Sequence, residues 1–130
     1  MARSTLQRLN LFMPGDDHVA GERAWLEAVF GDQTEWAMAT MDRLMTTHPD
    51  QPEWRFGLAL AKWRKGDAAT ALNLLEESAP AWDRLEPRWQ VVYVVLLGAN
   101  RQREAARRFA RQIPLERLRL QEKALLTGWL

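Results

Sequence analysis

At 130 residues and 47% hydrophobic positions, the chain is long enough for one domain with its own core and too apolar to be disordered. It contains no cysteine, which excludes disulfides, thiol catalysis and thiolate metal sites. Net charge is only +1, yet residues 101–123 carry eight basic side chains against three acidic ones, a net +5 that leaves −4 for the remainder.

Residues 1–14 form an apolar arm (Leu6, Leu9, Leu11, Phe12, Met13) that Pro14-Gly15 separates from the chain beyond. The arm lacks the continuous apolar core of a secretory signal, and no stretch approaches the roughly 20 apolar residues of a membrane span. The expected location is therefore cytoplasmic, without membrane contact. Residues 15–130 read as a single domain.

A first helix is predicted over about 17–30, with Val19, Trp25, Leu26, Val29 and Phe30 at helical spacing. Gly31-Asp32 turns the chain, and a second helix runs to about Thr46. Glu35, three residues after Asp32, gives that helix a capping-box start. Pro49 and Pro52 bracket the next link, where Asp50 is placed to cap the following helix.

The stretch from Pro52 to Pro80 then reads as two short helices around Gly66-Asp67. Gly66 suits the left-handed residue that ends one helix, and Asp67 the cap that starts the next. Asp83 and Glu86 have capping-box spacing before Pro87. The helix after it is apolar on every side from Val91 to Leu97, so it must be surrounded or await a partner. Gly98–Asn100 ends it. An arginine-rich helix and, over about 115–127, a last helix complete the chain.

A shift of 34 residues superposes the landmarks. Ala37, Ala71 and Ala105 share one phase; Met41, Leu75 and Phe109 follow one turn later; Asp32, Gly66 and Asn100 mark the turns; Pro80 and Pro114 close units. These residues resemble the tetratricopeptide repeat (TPR), with Trp89, Val92, Tyr93, Leu96, Ala105, Phe109 and Pro114 as the nearest match. The resemblance covers about residues 17–114. It implies an all-α right-handed superhelix, an α-solenoid of three helical hairpins (about 18–51, 52–85 and 86–114) with a capping helix (about 115–127). The chain departs from the pattern at Trp25, Ala59 and Tyr93, which stand where the family favours glycine, and at Lys62, where a large apolar residue is usual.

The resemblance also implies a concave groove lined by the first helix of each hairpin. Carried over, that phase selects Arg23, Leu26, Phe30, Phe56, Leu60, Trp63, Arg64, Gln90 and Val94 as the partner-binding surface. The expected function is a non-catalytic protein–protein interaction module or scaffold holding an apolar peptide or amphipathic helix. Self-association through the 6–13 arm is a variant of it. Family members that clamp a C-terminal carboxylate use positions occupied here by Glu22, Leu26, Gly57, Pro87 and Val91, which cannot form that clamp.

The alternative is a phosphate- or nucleic-acid-binding accessory role through helix 101–111, where Arg103, Arg107 and Arg111 share a stripe beside Arg108. No aromatics interleave with these arginines in sequence, which argues against base-specific reading. Catalysis has no motif behind it. His18 and His48 lie 30 residues apart with no metal-ligand spacing, and neither a phosphate-binding glycine loop nor a nucleophile motif is present, so no cofactor or metal is expected.

Overall fold

In the computed structural model, which describes residues 17–49, 51, 53–78 and 82–129, the chain is all-helical, with seven α-helices and no strand among the described residues. They are α1 (Asp17–Phe30), α2 (Thr34–Thr47), α3 (Glu53–Arg64), α4 (Ala68–Ser78), α5 (Pro87–Ala99), α6 (Arg103–Ala110) and α7 (Leu120–Leu126). Short 3-10 turns occupy Trp82–Arg84, Leu115–Arg117 and Thr127–Trp129. The expected N-terminal arm and the cap at Asp50 lie outside the described residues.

Each of the pairs α1/α2, α3/α4 and α5/α6 is joined by a turn of the same construction. The N–H of Asp32, Asp67 and Gln102 donates to the carbonyl five residues back, on Glu27, Lys62 and Leu97, at 3.1, 3.0 and 2.9 Å. Gly31, Gly66 and Arg101 take the left-handed conformation this closure needs, with φ of 81°, 88° and 66°. In the third turn the strained position thus falls on Arg101 and not on Asn100. Asn100 instead donates its side-chain amide to Ala68 O and Leu96 O, tying the end of α5 to the start of α4.

Asp67 caps α4 as expected, accepting from Thr70 N–H at 3.3 Å. The capping box at Asp32/Glu35 does not form. Gln33, at φ 46°, precedes the helix, and Glu35 bonds Lys65 at 2.8 Å. Nor does one form at Asp83/Glu86, because Trp82–Arg84 is already a 3-10 turn and Glu86 pairs with Arg88.

The first helices of the three pairs lie in a row, with α3 packed between α1 and α5. The apolar helix α5 needs no outside partner, for α3, α4, α6 and α7 surround it. Ala37, Met41, Ala71 and Leu75 are fully buried, as close-packing residues and plugs should be. Phe109 is only half-buried, joined by Trp82 at 4.6 Å and Tyr93 at 5.8 Å.

Three helical glycines each receive a large side chain from elsewhere in the fold. The ring of Trp54 lies on Gly21, the Met41 thioether on Gly57 and the ring of Trp129 on Gly98, each so close that a Cβ would overlap it. The Trp54 seat is the stiffest, since its ring is buried and planar where the equally buried Met41 chain is flexible. Gly21→Ala should therefore destabilise the fold by about 1–2 kcal/mol, overpacking outweighing the gain in helix propensity. Urea denaturation measures this, and an unchanged or raised midpoint would contradict the seat.

Candidate interaction surface

The predicted groove residues separate into two groups. Leu26, Phe56, Leu60 and Val94 are buried in one continuous core. Gln90 is buried as well, its side-chain amide donating to Trp82 O at 3.0 Å while Oε1 has no partner. These five do not line an open trough. Arg23, Phe30, Trp63 and Arg64 retain exposure, Phe30 the most among its apolar members at 40%.

Among the described residues these positions are covered because side chains of α1, α3 and α5 meet. The Trp25 ring of α1 packs edge-on against Trp89 of α5 at 4.8 Å, and Phe56 of α3 stacks on Trp89 at 5.7 Å. Beside these rings Arg88 grips Glu22 with two parallel hydrogen bonds of 2.9 Å and lies over Trp89. Burial alone would raise the Glu22 carboxyl, but the hydrogen bonds and charge of Arg88 outweigh it and hold the group below the usual carboxylate range. Burial acts on Arg88 in the opposite sense and is likewise overcome by Glu22, which leaves its guanidinium above its ordinary value.

The last helix then covers this face. The sequence reading expects one helix over 115–127 capping the end of the array. Instead residues 115–117 form a 3-10 turn, and α7 begins only at Leu120, where Glu122 Oε1 accepts from Arg119 N–H at 2.9 Å. α7 packs on α5 and also reaches back to α1. There the Trp25 indole N–H donates to Glu122 Oε2 at 3.1 Å, across 97 residues of sequence. Glu122 is 3% exposed and Leu126 fully buried.

What remains accessible is a rim of aromatic and arginine side chains. The Arg23 guanidinium lies 4.2 Å over the Trp36 ring and reaches Gln33 at 3.4 Å. The Arg64 guanidinium stands 4.8 Å over Trp63 and donates to the carbonyls of Ala28 and Val29 at the end of α1. A cation there complements the helix dipole and satisfies terminal acceptors. Burial pulls the Arg64 guanidinium below its ordinary value. Arg64, expected to orient a partner, is thus committed to closing α1.

Two features were not expected. A cleft of about 440 Å³ between α2 and α3 is bounded by Glu35, Met38, Asp42, Leu58, Lys62 and Lys65. Its sequence signal is Lys62, the lysine standing where an apolar plug is usual. Asp17 accepts from Arg43 at 3.1 Å and pairs with His48 at 2.9 Å, fastening the start of α1 to the end of α2. These bonds, that of His48 first, lower the Asp17 carboxyl. Among the described residues no cluster of three His, Cys, Asp or Glu could hold a metal ion, and no helix is long and apolar enough to cross a membrane.

The arginines of 101–111 are all exposed, and none of Arg101, Arg103, Arg107 and Arg111 makes an ion pair among the described residues. Arg108 lies 5.3 Å over the Phe109 ring.

No family profile, curated protein or solved structure matches the chain.

Because the folded-state Glu22 carboxyl sits below its unfolded value, the Glu22–Arg88 contribution is present at neutral pH and lost as pH falls through the folded value. Glu22→Gln should cost about 1–2 kcal/mol at pH 7, and the gap from wild type should narrow progressively as pH falls below the ordinary carboxyl value of 4.5. Thermal melts across that range measure it; a gap independent of pH would contradict the assignment.

Proposed function

We propose that the chain is a TPR-type superhelix acting as a non-catalytic protein–protein interaction module, with an apolar peptide or amphipathic helix of another protein as its partner. The observation that carries the reading is the threefold recurrence of one hairpin: three helix pairs with the same left-handed turn closure at 35-residue intervals, their first helices in a row. A stacked array of this kind presents a continuous face that a partner segment can follow.

On this reading the first contacts are made by Phe30, Trp36 and Trp63, with Arg23 adding charge at the rim. Aromatic rings backed by guanidinium groups are frequent anchors, since they combine large area with few rotatable bonds. Phe30→Glu/Trp63→Glu should abolish partner capture while leaving the helical circular dichroism unchanged. Capture of the same protein, identified by mass spectrometry, by both wild type and the folded variant would overturn the rim assignment.

A second reading rests on the exposed arginines of 101–111, of which Arg101, Arg103, Arg107 and Arg111 make no ion pair among the described residues. Their planar forks suit phosphate oxygens, so this face would serve a phosphate-bearing ligand or nucleic acid. Its signature is affinity for a labelled oligonucleotide that falls steeply between 50 and 200 mM salt and is lost in Arg103→Glu/Arg107→Glu/Arg111→Glu. A flat salt response would exclude it.

A further inference from the structure

α7 is the shortest α-helix among the described residues. It has seven residues, shorter than the roughly 12–15 that sustain an isolated helix in water, so its helicity depends on docking. Only Glu122 and Leu126, one helical turn apart, are buried within it, with Leu118 just before it. Lys123 and Ala124 face solvent, and Leu120 is 75% exposed. Two residues at i and i+4 on an apolar floor are how an amphipathic helix lies in a groove.

The floor beneath α7 also has contacts of its own. Trp25 and Trp89 meet directly, and the Glu22–Arg88 pair locks α1 to α5 beside them. To this floor α7 adds the buried Leu126 and an acceptor. Without Glu122 the fully buried Trp25 indole N–H would lose its hydrogen bond, and an unpaired buried donor is costly. Any replacement must therefore bring an oxygen to the same point.

We propose that the seat of α7 is a partner-binding site which the chain keeps closed with its own C-terminal helix. The partner it fits is an amphipathic helix of another protein, with a carboxylate in its first turn and a leucine-type residue four positions later. The carboxylate does two things at once, as Glu122 does: one oxygen accepts from Trp25, and the other caps the start of its own helix. The inference rests on the interaction-module reading and assigns it a site and a partner chemistry. Tethering gives α7 a high effective concentration, so a partner binds only through the fraction of chains whose seat is open.

The test uses the purified 130-residue chain, wild type and Leu126→Asp, titrated with a labelled synthetic peptide of residues 115–129. The expected result is weak binding to wild type and affinity about tenfold tighter or better for Leu126→Asp, since the resident helix no longer competes. The peptide carrying Glu122→Leu should bind that variant at least about tenfold more weakly. Hydrogen exchange on wild type should show residues 118–126 opening faster than 87–99. Equal affinity for both chains overturns the proposal, as does exchange of 118–126 as slow as that of α5. Loss of helical signal in Leu126→Asp also overturns it, for the seat is then inseparable from the core. A doubled mass in light scattering would make a second copy the occupant and overturn the foreign-helix assignment. Failure here with partner capture still sensitive to Phe30 and Trp63 leaves the module reading standing. Success here with capture indifferent to those residues retires the rim and keeps the seat.

Discussion

Arg88 is the residue on which the arrangement turns. Its guanidinium holds Glu22 of the first helix in two hydrogen bonds and lies over its own neighbour Trp89, whose ring meets Trp25. A row of three helices left open would expose three aromatic faces. Drawing the first helix toward the fifth places those rings against one another, and burial of aromatic area is among the largest favourable contributions a small domain has. The ion pair contributes direction more than raw stability. Two charges removed from water gain little net energy, but they fix which helices approach and in which register.

From that joint follows the state of the groove. A superhelix with a wide inner face can hold a ligand in an open channel. Here the inner positions are occupied by contacts among α1, α3, α5 and α7. The side chains left outside are those where helix ends meet solvent, and several already have intramolecular tasks. Arg64 shows the tension: a guanidinium at the α1 C-terminus satisfies two carbonyls, which leaves it less free for a ligand. The rim therefore combines side chains held within the fold with side chains that keep exposure, Phe30 the most among its apolar members.

Much of the fold was legible because it is local. Gly66 and Asp67 announce a left-handed stop and a cap, and both occur as read. Ala37 and Ala71, one period apart, mark the phase where helices touch, and both are fully buried. Misreadings arose where a side chain had two possible partners. Glu35 could cap its own helix or reach Lys65, and an exposed ion pair with the next hairpin won. Gly21, Gly57 and Gly98 carried no sequence signal of close approach, yet a large side chain from elsewhere meets each one. The candidate site was read from helical phase alone, and phase gives the face of a residue without saying what covers it. Nothing near Trp25 in sequence indicates that Glu122 will complete it.

That separation also has a consequence during synthesis. A ribosome adding about 5–20 residues per second needs roughly 5–20 s to pass from Trp25 to Glu122. For that interval the first helix pair can form while the Trp25 indole N–H has only water as its acceptor. Its ring partner Trp89 is made about two-thirds of the way through, and the carboxylate later still, so this joint is completed only when most of the chain has been synthesised.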